Sequence, residues 1–294
     1  MLVAIYGGNI DIKWKEKIEF LFSSLFEANI SLCYYIDLYD TLTKTFRMQL
    51  PAGEVFSCCT NLPSNTSSIL VLGGDGTFLN SLSFVQDKNI PIAGINLGRL
   101  GFLTTTKLNE EVGLWIDDLK NGRFEIEKRT IIEVVSDLPG ENFPFALNEV
   151  SIQRNSPSML GIEITIDGDK VPIYWADGFL IATPTGSTAY SLSVGGPIVM
   201  PGANVFIVAP IAPHNLNIRP LIVPDTSEIT IRIHSRSDGA MLTLDNRSFK
   251  MNPDDKLVLR KANFKLNYIT PNTSDFFEVL KEKLLWGEDK RNNI

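Results

Sequence analysis

Residues 69–79, ILVLGGDGTFL, set two glycines, an acid, a third glycine and a hydroxyl between an apolar run and a helical pattern. Gly73, Gly74 and Gly76 let backbone N–H groups approach phosphate oxygens without Cβ interference, and the N-terminus of the following helix adds positive potential. Thr77 contributes a hydroxyl. Beside a phosphate chain held there, Asp75 has two chemical uses: it can accept a hydroxyl proton as general base, or help hold a phosphate-bound divalent metal. The same residues also suit a tight strand-to-helix turn with Asp75 as helix N-cap, and the residue types alone leave both readings open. No Gly-x-x-x-x-Gly-Lys-Ser/Thr run occurs, no Gly-x-Gly-x-x-Gly opens a helix after a strand, and the protein-kinase motif set is missing.

Three further stretches carry unusual chemistry. Residues 96–103, NLGRLGFL, again bring glycines to a loop after an apolar run, with Arg99 as a phosphate contact or, equally, a turn followed by core residues. Asn148 and Glu149, in ALNEV, set an amide beside a carboxylate on a strand, a pair suited to an adenine edge and ribose hydroxyls, or to plain decoration of a strand surface. Residues 176–198, ADGFLIATPTGSTAYSLSVGGPI, crowd hydroxyls, glycines and one tyrosine between apolar runs. Ser187, Thr188, Tyr190, Ser191 and Ser193 offer the uncharged hydrogen-bonding groups that a multi-hydroxyl ligand requires, and Tyr190 could stack on a flat base. A polar loop would use the same residue types.

The elements that must position these groups follow from periodicity. Leu2 to Tyr6 reads as a buried strand, Ile18, Leu21, Phe22, Leu25 and Phe26 recur at helical spacing, and Ile30 to Tyr35 reads as a second strand. Two more apolar runs, at 69–72 and 90–95, each enter a glycine-containing loop with a helix at 78–85 between them, which predicts a parallel sheet with flanking helices. From about Arg123 the period becomes two: Ile162, Ile164 and Ile166; Ile229, Ile231 and Ile233; Leu242 and Leu244; Leu257 and Leu259; Phe264, Leu266 and Tyr268. That alternation predicts a β-sandwich-like second domain. Phe277, Leu280 and Leu284 then mark a helix face with Ser274 or Asp275 as its N-cap. The expected division is α/β over 1–125, with 273–294 returning to it, and β over 126–272.

Composition narrows the classes. At 294 residues the chain exceeds the size at which one core usually keeps growing. A net charge of -7 opposes a nucleic-acid or anionic-membrane surface, and no apolar run approaches the roughly 18 residues of a membrane span. Cys33, Cys58 and Cys59 are odd in number and lack metal-ligand spacing, which fits reduced thiols. Residues 1–8 lack the basic and long apolar regions of a secretory signal, so a cytoplasmic location is expected.

The string GGDGT occurs in NAD kinases, diacylglycerol-type lipid kinases and 6-phosphofructokinases. Taken with NLGRLGFL, the Asn148 and Glu149 pair, TPTGSTAYSLSVGGP and APIAPHNLNIRPLIVP (209–224), in that order, the chain resembles the bacterial NAD kinase family over about residues 70–224. The hydroxyl-rich string favours an enzyme that phosphorylates NAD with ATP; a lipid kinase, on GGDGT alone, and a non-catalytic NAD(P)-binding sensor are the alternatives. The resemblance implies an α/β domain, a β-sandwich-like domain and a site in the cleft between them. It implies Asp75 as the base on the 2'-hydroxyl of the adenosine ribose, with Gly74, Gly76 and Thr77 near phosphates and Phe102 bordering the adenosine pocket. Asn148, Glu149, Thr188 and Ala189 would hold the adenosine half of NAD. Asp177, Tyr190, Ser193 and Ala212 would contact the nicotinamide half, some across a subunit interface, which implies a homodimer or homotetramer. A divalent cation, usually Mg²⁺, would accompany ATP. The chain departs from many relatives in carrying Trp175 where they have Arg, and Asn80 where a basic residue is common; His214 is assigned no role.

Overall fold

Near-continuous apolar runs in the first half become strands buried on both faces, as a parallel sheet covered by helices requires. Leu2–Gly7 pairs parallel with Ser31–Tyr35 on one side and Thr66–Leu72 on the other. Gly53–Phe56 and Ile92–Asn96 extend the sheet at either side, again in parallel. The helix Lys15–Glu27 crosses from the first strand to the second and buries Ile18, Leu21, Phe22 and Leu25 of the residues whose spacing marks it in the sequence, whereas Phe26 is exposed. The computed structural model describes residues 1–98, 100–108, 112–136, 143–215, 217–235, 239–253, 255–270 and 276–287. Arg99, Ser274 and Asp275 lie outside the described residues.

The alternation at Phe264, Leu266 and Tyr268 divides between two structures. Phe264 stays with the second unit, its ring 4.9 Å from that of Phe145. Leu266–Thr270 instead joins the first sheet, with Tyr268 opposite Ile92 in parallel register. Leu266, Tyr268 and Ile269 are all buried, so this strand is covered on both faces, and the period of two that suggested a half-exposed strand was incidental. The Tyr268 ring packs on Phe78 at 5.7 Å and its hydroxyl meets Thr105 Oγ1 at 3.0 Å. The last helix, Phe276–Leu284, belongs to the same unit, with Lys107 Nζ 3.2 Å from Glu282.

Contacts divide the chain into Met1–Glu127 with the segment from Asn267 onward, and Lys128–Leu266. The second unit is antiparallel. Its spine is the fourteen-residue strand Asp169–Ala182. Leu160–Ile166 pairs with the first half of that spine, Glu149–Arg154 with the second half along the same edge, and Val205–Pro213 along the opposite edge. A strand shared in this way lets a sheet fold over into two layers. The core between them holds Ile152, Ile162, Ile164, Phe179, Ile181, Phe206, Ile231 and Leu242, all essentially buried.

Candidate functional site

The glycine turn of the first unit lies at the carboxyl edge of the parallel sheet, where open α/β sheets bind ligands. Thr66–Leu72 delivers the chain into Gly73 and Gly74, and the helix Asp75–Val85 begins at once. Gly73 has φ of +151°, and a Cβ there would lie 2.7 Å from Thr77 Oγ1, so a side chain is excluded on both counts. Gly74 and Gly76 have no such reason, since a Cβ on either would meet nothing within 4 Å. They leave open the approach to the helix N-terminus, whose first-turn N–H groups have no intrahelical partners.

Asp75 is not the helix cap. Gly74 occupies the cap position, Asp75 is the first helical residue, and its carboxylate turns toward the loop that follows Ile92–Asn96. Oδ2 accepts the Phe102 N–H at 2.8 Å. Oδ1 accepts the N–H groups of Leu103 and Thr104, both at 3.1 Å, and the Thr104 hydroxyl at 3.0 Å. Two motifs far apart in sequence thus become one array. Thr104 was not among the residues singled out from the sequence; a run of threonines after NLGRLGFL gives no sign that one faces Asp75. Phe102 is half-buried beside this array.

In the second unit Asn148 and Glu149 open the strand Glu149–Arg154. Asn148 is half-buried, and Glu149 is 9% exposed. Burial first, then the charge of the Asp245 carboxylate, push the Glu149 carboxyl up to about 8, against an opposing hydrogen bond from the Tyr190 N–H. Among the described residues Glu149 Oε2 is buried without a hydrogen-bond partner, which costs about 1–3 kcal/mol unless a ligand donor or a proton meets it. Tyr190–Ser193 forms one turn of helix directly after the 3₁₀ turn Thr185–Thr188, with Ala189 between them, and brings the Tyr190 N–H to Glu149. Ser193 is exposed.

Asp177 is held by Arg154, whose Nε lies 3.0 Å from Oδ1 and Nη2 3.1 Å from Oδ2. Arg154 reaches Asp177 from the neighbouring strand Glu149–Arg154. Ala212 sits between the pairs Ala176–Pro213 and Gly178–Ile211, hence opposite Asp177, and has φ of +47°, a strained conformation for a residue with a Cβ. Trp175 is 44% exposed, and His214 donates its backbone N–H to the Trp175 carbonyl at 2.9 Å. Asn80 is exposed. Nothing in the geometry of His214 calls for a chemical role. All three cysteines are free, and among the described residues no helix is long and apolar enough to cross a membrane.

Known proteins resemble this chain in sequence and fold. The ATP-NAD kinase N-terminal domain model matches residues 53–124, and the ATP-NAD kinase C-terminal domain model matches residues 147–270. The chain is 40% identical to an NAD kinase of Cytophaga hutchinsonii over 95% of its own length and 91% of the relative's. It is 36% identical to an NAD kinase of Bacteroides fragilis over 99% and 100% of the two chains. Among solved structures, yeast NADH kinase complexed with NADH matches with a TM-score of 0.84 at 26% identity, covering 98% of this chain and 89% of that one. An NAD kinase from Archaeoglobus fulgidus in complex with ATP has the same fold, with a TM-score of 0.73 at 24% identity over 96% and 98%.

Proposed function

The chain belongs to the ATP-NAD kinase family, and on that premise we propose which of its residues move the γ-phosphate of ATP onto the 2'-hydroxyl of the adenosine ribose of NAD. Its activity is that of an ATP-dependent NAD kinase, a phosphotransferase giving NADP and ADP. The observation that carries the residue assignment is the four-donor array around Asp75. An ionised carboxylate has about four acceptor directions. Oδ1 is filled by three donors, whereas Oδ2 has one and keeps a lone pair for the ribose hydroxyl. Asp75 Oδ2 takes that proton as the 2'-oxygen attacks phosphorus and ADP leaves with the bridging oxygen. Gly73, Gly74, Gly76 and Thr77 cradle phosphate oxygens, and Phe102 borders the adenosine.

Asn148, Glu149, Thr188 and Ala189 hold the adenosine half in this reading. Burial and the Asp245 charge favour the protonated form of Glu149, in which it meets the ligand as a hydrogen-bond donor. Asp177, Tyr190, Ser193 and Ala212 contact the nicotinamide half. The closest test is direct: purified protein with ATP, a divalent cation and NAD yields NADP, read through an NADP-specific dehydrogenase, and no NADP at any metal concentration would overturn the assignment. Diacylglycerol phosphorylation in preference to NAD would revive the lipid-kinase reading, and tight nucleotide binding without turnover the sensor reading.

Mg²⁺ is the proposed metal. Such an ion is carried on phosphate oxygens and water with at most a carboxylate of the protein. When bound, it neutralises charge on the phosphates during transfer. Chelation is therefore expected to abolish turnover, and added Mg²⁺ to restore it, while the thermal midpoint of the nucleotide-free protein stays unchanged; a fall in that midpoint would reveal a protein-held site instead.

The assembly is proposed to be a homodimer or homotetramer in the cytoplasm. Free cysteines fit a reducing compartment. Ile173 and Trp175, 41% and 44% exposed, are two apart on one strand and so present a common face for a second copy. Light scattering at assay concentration should give two or four times the single-chain mass, and a monomer would remove any contribution from a partner subunit.

A further inference from the structure

The backbone of residues 147–149 is tied on every side by two residues distant in sequence. Asp245 Oδ2 accepts the Leu147 N–H at 2.9 Å, and Oδ1 accepts those of Asn148 at 2.7 Å and Glu149 at 3.2 Å. The Asp245 N–H donates back to the Glu149 carbonyl at 3.0 Å. From the other side the Thr183 hydroxyl donates to the Leu147 carbonyl at 2.5 Å, and the Thr183 N–H to the Asn148 carbonyl at 2.9 Å. Every backbone donor and acceptor of the tripeptide is thereby bound, and Asp245 and Thr183 supply all the partners. Gly186 closes the arrangement: its N–H donates to Thr183 Oγ1 at 3.2 Å, and a Cβ there would overlap the Asn148 carbonyl.

Asp245 stands in the hairpin turn between Ala240–Leu244 and Arg247–Met251 with φ of +51°. Such a turn is well served by Asn or Gly. What only a carboxylate supplies is acceptor capacity on both oxygens for three N–H groups at once. Burying it carries a cost, since desolvation pushes its pKa upward against those three bonds and the charge of Arg247. Arg247 in turn donates to the carbonyls of Phe143 and Phe145 and stacks over the Phe143 ring, which holds the approach to the tripeptide.

We propose that Asp245, opposed by Thr183, is the positioning residue of the acceptor-binding pair: it touches no reacting group, and it fixes the backbone from which Asn148 and Glu149 reach the adenosine of NAD. This rests on the adenosine roles given to Asn148 and Glu149 above. Asp245 also acts on Glu149 through space. The groups facing the Glu149 carboxyl are the Asp245 carboxylate, which makes it harder to ionise, and the Tyr190 N–H, which makes it easier. Removing the Asp245 charge must therefore let Glu149 lose its proton at lower pH.

The test uses the full-length enzyme and four variants, Asp245→Asn, Thr183→Val, Asn148→Ala and Glu149→Gln, with kcat and both KM values measured from neutral to mildly alkaline pH. Asp245→Asn and Thr183→Val are each expected to raise KM for NAD about tenfold, leaving KM for ATP and kcat within a few-fold. The pH at which KM for NAD changes should fall in Asp245→Asn and stay in place in Thr183→Val, because only the first removes a charge. A purely structural Asp245 would lower stability and leave KM for NAD within a few-fold at every pH. Unchanged KM for NAD in both clamp variants, while Asn148→Ala or Glu149→Gln raises it, overturns the positioning role. No rise in any of the four overturns the adenosine assignment itself. Should Asp245→Asn fail to fold, Thr183→Val alone decides, and an unchanged KM for NAD there sinks the clamp.

Discussion

Exchanging Asp75 for Asn is expected to reduce kcat by at least about 10²-fold, the low end of what a positioned general base contributes, with KM for NAD within a few-fold of the parent enzyme. The geometry complicates a simple reading. An Asn can keep its oxygen at Oδ1, where three donors converge, but its amide then sets N–H groups against the Phe102 N–H at the other position. Part of any loss would come from a displaced 101–104 loop rather than a missing base. Thr104→Val separates the two, since it deletes one donor to Oδ1 and leaves the carboxylate and its three backbone partners intact. A far smaller loss in Thr104→Val supports proton abstraction; an equal loss reduces Asp75 to an anchor. A metal-holding Asp75 predicts a third pattern, in which Asp75→Asn regains activity as Mg²⁺ is raised. A base cannot be replaced in that way.

How far the sequence could be read depended on whether each signal was local. The turn at Gly73 to Thr77 is legible because strand, glycines and helix follow one another without a gap, and the structure forms them within a single segment. The helix Lys15–Glu27 is legible for the same reason, since its buried stripe is its own periodicity. Strand Leu266–Thr270 is not. Its alternation matches its antiparallel predecessors, yet its partner, Ile92–Asn96, lies far upstream, and only burial on both faces distinguishes it. The site divides along the same line. Asp75, Asn148, Glu149 and Thr183 stand in unusual local strings, whereas Thr104, Asp245 and Arg154 matter through partners elsewhere in the chain. Asp245 in TLDNRS reads as an ordinary hairpin turn, and Arg154 as a strand end. The resemblance to a family names the residues proposed to face the ligand, but it is silent on those that brace them. Arg154 illustrates the limit: a residue that reads as a strand end pairs with Asp177 on the adjacent strand.

Gly101→Ala should be nearly as damaging as Asp75→Asn although glycine has no side chain to lose. A Cβ at residue 101 would overlap Asp75 Oδ1 outright and lie 2.6 Å from Asp75 Cγ and 2.5 Å from Thr104 Oγ1. Asp75 cannot step aside cheaply, because the donors that hold it belong to the loop that carries the new methyl group. Nor can the loop retreat freely, since Leu103 and Thr104 are buried and the Gly101 N–H is bonded to the Thr104 carbonyl at 3.2 Å. Either the carboxylate swings out or the 101–104 loop shifts, and both break the array that orients Oδ2. The expected result is a fall in kcat on the order of 10²-fold, together with a stability loss of roughly 1–3 kcal/mol from strain and broken hydrogen bonds. Gly74→Ala and Gly76→Ala provide the contrast. Neither methyl would touch protein, so neither should lower stability, and whatever activity they lose must reflect a bound phosphate that approaches the backbone there. Equal activity in Gly101→Ala and the parent enzyme would mean that the Asp75 array is dispensable, and with it the assignment of Oδ2 as the base.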